Sequence, residues 1–139
     1  MVSILFGGIG FDSSYDSKSQ ELVKSKNVIN RKPEEYITTF EYPNIEDVYE
    51  KIKALDIYSY PDEYDAYKES TIYTSPSTNY VLTIANKTIE AKNCPILNSI
   101  PEQLPEKARK FLELVFLIRD TIQHSEEWNS LPDFEVLYL

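Results

Sequence analysis

The stretch from Pro105 to His124 limits the possible folds more than any other part of the chain. Ala108, Phe111, Leu112, Val115, Ile118 and Ile122 recur at the spacing of one helical face, so a long amphipathic helix is predicted over these residues. Pro105 suits its first turn, where the missing N–H would have had no partner. Leu114, Phe116 and Leu117 widen the apolar stripe beyond a single face. Such a helix is either sandwiched in a core or packed against another chain, which makes Leu114, Phe116 and Leu117 candidate contacts for a homodimer.

A second helix is predicted from Ile45 to Leu55, with Ile45, Val48, Ile52 and Leu55 on one face and charges on the other. Asn44 is the expected N-cap, and Asp47 complements the first-turn amides. Strands are predicted at Val2–Phe6 and at Glu35–Tyr42, which Pro43 ends. Tyr80–Ile84 and Thr88–Lys92 read as a hairpin turning through Ala85-Asn86-Lys87, with Asn86 suited to a left-handed backbone. Glu21–Ile29 fits either a strand or the start of a short helix. Ser70–Thr74 and Phe134–Tyr138 are strand-like, and Ser125-Glu126-Glu127-Trp128 reads as a capped turn. Phe11–Gln20 is a loop by its Ser and Asp content, and Asp56–Lys68 an ordered loop with one helical turn. Together these predict an α+β fold: a mainly antiparallel sheet with two principal helices packed on one face.

The 139 residues suit a single domain spanning 1–139, and 42% of them are hydrophobic, enough for one core. The N-terminal Met1-Val2-Ser3-Ile4-Leu5-Phe6 has no basic n-region and too short an apolar run for a secretory signal, and no stretch is long enough to span a bilayer. A cytoplasmic location is expected. The lone Cys94 cannot form an internal disulfide and reads as a small buried apolar group.

Conventional chemistry finds little support. The one histidine, His124, stands at the end of the long helix, where a cation complements the helix dipole. One cysteine and one histidine cannot supply a zinc site, and Asp62, Glu63 and Asp65 lack the glycine and terminal Glu of a calcium loop. No metal or cofactor and no catalytic residue is expected. Gly7, Gly8 and Gly10 follow a strand, as in loops that cradle phosphate, so Gly7, Gly8, Gly10, Ser13 and Ser14 form an alternative site for a nucleotide or phosphate. The dinucleotide-binding spacing is absent, and a tight turn that only glycine fits explains the same residues.

The formal charge is −9, which opposes nucleic acid and anionic membranes and favours a basic partner. Nearly all of it lies between Glu34 and Glu69, where eleven carboxylates face three lysines. Seven of the eleven tyrosines share that segment: Tyr36, Tyr42, Tyr49, Tyr58, Tyr60, Tyr64 and Tyr67. Tyrosine gives large contact area at interface centres, and a one-signed field speeds encounter with an oppositely charged protein. Asp47, Glu50, Tyr58, Tyr60, Asp62, Glu63, Tyr64, Asp65 and Tyr67 are therefore the candidate protein-binding residues, on a non-catalytic inhibitor or immunity-type protein. Bacterial immunity proteins that block basic nucleases, and phage anti-defence inhibitors that mimic nucleic-acid phosphates, use surfaces of this kind. A segment of tyrosines that cover the core, with acids supplying solubility, would give the same composition.

The order of helix, Ile57-Tyr58-Ser59-Tyr60-Pro61, Ser75-Pro76, Tyr80-Val81-Leu82-Thr83-Ile84 and a long helix closing on Ser125-Glu126-Glu127-Trp128 and Leu131-Pro132 resembles a group of small uncharacterised bacterial proteins. The resemblance covers about residues 44–139 and implies an α+β layout. It carries no activity and no catalytic residues. Many members of the group look like exported lipoproteins.

Overall fold

The computed structural model describes residues 2–6, 13–26, 34–67, 77–95 and 100–131. The long helix forms as its periodicity requires. We label it α2, Glu106–Gln123, with Pro105 at the N-cap. Phe111, Leu112, Val115 and Ile122 on its stripe have no exposed surface. The first helix, α1, spans Ile45–Leu55, buries Val48 and Leu55, and packs on α2. A short third helix, α3, Glu126–Ser130, follows α2; the Ser125 hydroxyl caps it by accepting from the Trp128 N–H at 3.1 Å.

Among the described residues seven strands form one sheet: β1 Val2–Phe6, β2 Ser13–Asp16, β3 Glu21–Lys26, β4 Glu34–Thr39, β5 Glu63–Asp65, β6 Ser77–Ile84 and β7 Lys87–Pro95. Their order across the sheet is β4-β3-β2-β1-β6-β7-β5, and every pairing is antiparallel except β5 with β7. The fold is thus α+β with a mostly antiparallel sheet. Strand alternation sends Tyr15, Leu22, Lys24, Tyr80, Leu82, Ile84, Ile89 and Ala91 to the buried side, where the helices pack. The opposite side carries exposed or half-buried Glu35, Ile37, Thr39, Val23, Ser14, Val81, Thr88, Glu90 and Lys92.

The structure corrects several sequence expectations. Ser13–Asp16 is a strand, not a loop. Its Tyr15 donates to the Phe40 carbonyl at 2.7 Å and stacks edge-on with Phe40, while Ser13 accepts from the Ser25 N–H at 3.0 Å. The segment owes its strand to two flanking partners, which its Ser- and Asp-rich composition does not reveal. Glu21–Lys26 is a strand, which resolves the ambiguity at Glu21–Ile29. Asn44 occupies the N-cap of α1 but in the left-handed region, φ 52°, so its side chain makes no capping bond; its carbonyl accepts from Asp47 instead. Asp56–Lys68 contains the expected single turn, Ile57–Ser59, but also β5. In the β6–β7 turn the positive φ falls on Ala85 (53°), not on Asn86, because Ile84 pairs with Lys87 and leaves Ala85 first in a two-residue turn. The strand-like segments Ser70–Thr74 and Phe134–Tyr138 lie outside the described residues.

Leu114 is fully buried, Phe116 is 5% exposed and Leu117 packs against the core, so the wide apolar girth of α2 serves this chain's own interior. Leu114 and Phe116 of the expected homodimer contact are covered by the folded chain itself, and only Leu117 keeps partial exposure.

Candidate functional site

Local sequence fixes how the acidic segment divides. In β5 the side chains alternate, so Tyr64 points to the helices while Glu63 and Asp65 point to the opposite face. Tyr64 packs edge-on against Phe111 of α2 (ring centroids 5.1 Å apart) and against Tyr60 (5.0 Å), and this trio ties the last strand of the sheet to the helical layer. The same alternation in β7 buries Ile89 and Ala91 and turns Thr88, Glu90 and Lys92 outward. Glu63 lies beside Glu90 in the register, and Glu90 beside Val81.

Glu63, Thr88 and Glu90 of these line an open groove of about 510 Å³, together with Asp62, Val81, Asn86 and Lys87. Lys87 donates to Asp62 at 2.9 Å and Lys92 to Glu63 at 3.3 Å. Asp65 accepts from the Asn93 amide at 2.7 Å and from the Tyr67 N–H at 2.9 Å, and Asn93 in turn donates its backbone N–H to Asn79. Glu90 has no ionic partner among the described residues. Four carboxylates, Asp62, Glu63, Asp65 and Glu90, therefore share this corner with two ammonium groups. The Asp62 side chain remains 86% exposed although it is paired, so its field reaches solvent. At the rim Tyr58, 64% exposed, donates to Asn86 at 2.7 Å, which holds its ring beside the groove.

Of the candidate binding residues, the fold brings Tyr58, Asp62, Glu63 and Asp65 together. It does not bring Asp47 and Glu50 to them. Both acids are exposed on α1, whose buried face packs on α2, so they belong to the outer surface of the helical layer, on the other side of the molecule. Tyr60 and Tyr67, 2% and 8% exposed, are corrected from surface to core, and Tyr64 is half-buried. Tyr60 donates to the Lys107 carbonyl at 2.8 Å, with the Lys107 ammonium over its ring, and Tyr42 donates to the Leu117 carbonyl. Burial pushes the Tyr60 phenol up to about 12, with Tyr64 and Asp56 adding to the rise. Tyr15, Tyr42 and Tyr80 are raised chiefly by burial as well. Most of the tyrosines in the segment therefore cover the core, while the carboxylates between them stay in water.

Glu90, Lys87, Asn86, Thr88 and Val81 were not among the residues expected at the site. The alternation of Ile89 and Ala91 with Thr88, Glu90 and Lys92 was the available signal, since it marks one face of β7 as polar. Of the alternative phosphate site, Gly7, Gly8 and Gly10 lie outside the described residues. Ser13 is 1% exposed with its hydroxyl engaged by Ser25, so it does not face a ligand; Ser14, half-buried, lies on the opposite face of β2.

Cys94 is buried on β7, and its thiol is pushed up to about 12 by burial and by Asp65, against a smaller opposing effect of Arg119. A thiol held neutral in this way is a poor nucleophile. Arg119, 5% exposed, donates to Tyr80 and to Asp120 and lies over the Phe116 ring. His124 caps the end of α2, with Nδ1 2.7 Å from the Asp120 carbonyl. It does not line the groove. Among the described residues no group of three or more His, Cys, Asp or Glu side chains could hold a metal ion, and no helix is long and apolar enough to cross a membrane. The chain matches no protein-family model and no curated protein.

Proposed function

We propose that this chain is a non-catalytic binding protein of the inhibitor or immunity type, and that it engages a basic protein through the acidic β5–β7 corner. The observation that carries this reading is the convergence of Asp62, Glu63 and Glu90 on one open groove, with Asp65 two residues along β5 from Glu63 and the exposed Tyr58 bonded to Asn86 of the groove wall. The carboxylates supply a field that speeds the approach of a cationic surface, and the ring supplies a flat anchor with little entropy left to lose. The opposing reading, in which acids and tyrosines serve only solubility and core, accounts for Tyr60, Tyr64 and Tyr67. It does not account for Tyr58.

A tagged pull-down from bacterial lysate at low and moderate salt tests the reading, with the Asp62→Lys/Glu63→Lys/Asp65→Lys variant alongside. Enrichment of a basic protein that raised salt or charge reversal abolishes is the expected result. Capture that ignores both changes, or no basic protein at all, overturns it.

A further inference from the structure

The other end of the sheet presents a different surface. Strand β4 has β3 on one side and, among the described residues, no strand on the other. The direction of its backbone groups follows from two hydrogen bonds. Phe40 N–H donates to the Gln20 carbonyl at 2.8 Å, so even-numbered residues of β4 bond inward to β3. Ser25 N–H points the other way, toward Ser13 of β2, which confirms the same alternation in β3. The N–H and C=O groups of Glu35, Ile37 and Thr39 therefore point away from the sheet. All three residues are exposed, and Ile37 is 62% exposed, one of the most exposed large hydrophobics among the described residues.

Native sheets blunt such edges with charged side chains, proline, bulges or very short strands. Strand β4 is six residues long, its register with β3 is unbroken, and it reads Glu-Glu-Tyr-Ile-Thr-Thr, so its charges stand at its N-terminal end and the stretch from Tyr36 to Thr39 has none.

We propose that β4 pairs with β4 of a second copy of this chain, antiparallel about a two-fold axis at Ile37, to give one continuous sheet across both copies. The sequence of the strand is complementary to itself in this register. Ile37 meets Ile37 of the partner as a hydrogen-bonded pair, and Glu35 meets Thr39 on each side, so no carboxylate faces another. Neighbouring registers are worse. Moving the axis to Thr38 sets Glu35 opposite Glu41, moving it to Tyr36 sets Ile37 against the Glu35 carboxylate, and centring it on Glu35 sets that residue against itself. Like charges directly opposite are unfavourable on a sheet, so one register is selected. Val23 is the cross-strand neighbour of Ile37 within the chain, so the pairing joins Val23 and Ile37 of both copies into one apolar stripe across the seam.

A seam of one strand buries less than the roughly 1,200 Å² of a stable interface, and each copy carries a charge of −9. The dimer is therefore weak, and salt strengthens it by screening the repulsion. That is the opposite of the salt dependence of a basic partner at the β5–β7 corner, and the two surfaces lie at opposite ends of the sheet, so failure of one reading leaves the other standing.

Sedimentation from roughly 5 to 500 µM, at low and moderate salt, tests the proposal. The mass-average is expected to climb toward that of a dimer with concentration and to climb further with salt. Ile37→Pro removes an outward N–H at an edge position where proline is tolerated, and Ile37→Lys adds a charge at the axis without constraining the backbone; both should remain monomeric at every concentration while keeping the wild-type circular dichroism. Because Cys94 is buried, an introduced cysteine is the accessible thiol among the described residues. Under mild oxidation Ile37→Cys should cross-link to itself, and Glu35→Cys should cross-link to Thr39→Cys in a mixture but not to itself. A wild-type chain that stays monomeric throughout, or a dimer that survives both Ile37 substitutions or cross-links equally at every position, overturns the proposal.

Discussion

The two edges of the seven-stranded sheet were built on opposite principles. At one end β5 has three residues, follows Pro61, runs parallel to its neighbour and carries Glu63 and Asp65 on its outward face. At the other end β4 is twice as long, antiparallel, and centred on an exposed isoleucine. Shortness discourages strand addition at β5, and its outward carboxylates give that end a negative field. Length, β-branched residues and outward backbone groups with no strand beside them among the described residues make β4 a template for another strand. The same sheet thus offers an electrostatic surface at one end and a hydrogen-bonding surface at the other.

The largest expected effect breaks the support of the β5 end. Phe111 meets both Tyr60 and Tyr64, so Phe111→Ala should cost about 3–5 kcal/mol in denaturant unfolding. Under native conditions the amides of β5 and β7 should then exchange faster than those of β3 and β4. Equal acceleration at both ends would show that the aromatic trio supports the whole core and not that edge in particular.

Alkali probes the same support through protonation. Tyr60 ionises at its ordinary value of 10.0 when unfolded and at about 12 in the fold, and Cys94 moves from 9.0 to about 12. In both cases the unfolded chain loses its proton first. Their contribution to stability is complete below about pH 9, declines as pH rises, and is gone once pH passes about 12. Tyr60→Phe should cost about 0.5–1.5 kcal/mol near neutral pH through loss of the bond to the Lys107 carbonyl. It should also flatten the alkaline decline, which urea titrations across the pH range will measure.

Charge reversal at Asp62 and Glu63 should be almost silent for folding, about 0.5 kcal/mol or less, because exposed ion pairs contribute little. It should nevertheless abolish capture of a basic partner and leave the salt-dependent self-association intact. A loss of self-association in that variant would erase the distinction between the edges. The smallest expected effect is Tyr58→Phe, which removes only the bond to Asn86; about a two- to five-fold weaker capture with unchanged stability would mark the ring as an oriented anchor.

The sequence was informative where a pattern is long. The face of α2 from Ala108 to Ile122 repeats over several turns, and α1 and the β6–β7 hairpin follow from equally plain periodicities. It was poor where an element owes its existence to neighbours. Ser13–Asp16 becomes a strand because β1 and β3 flank it, and Glu63–Asp65 because β7 lies beside it; three or four residues cannot hold a period long enough to be read. The candidate site was half visible. Asp62 and Glu63, picked out by composition, line one groove, with Tyr58 bonded to its Asn86 and Asp65 two residues along β5, whereas Glu90 comes from a strand more than twenty residues away and only pairing brings it there.

Chain order by itself determined that acids and tyrosines would lie close together, that the net charge would repel phosphate, and that a broad apolar helix would organise the core. The tertiary structure alone decided which way each of those side chains turned. Tyr60 and Tyr67 went inward, where their rings are buried and the Tyr60 hydroxyl reaches the backbone of α2, while Asp62 and Glu63 went outward, where water solvates their charge and each meets a lysine at the surface. Likewise β4 became an edge only because β3 and β2 pair in one order, and an edge is a property of neighbours, which no single strand can specify.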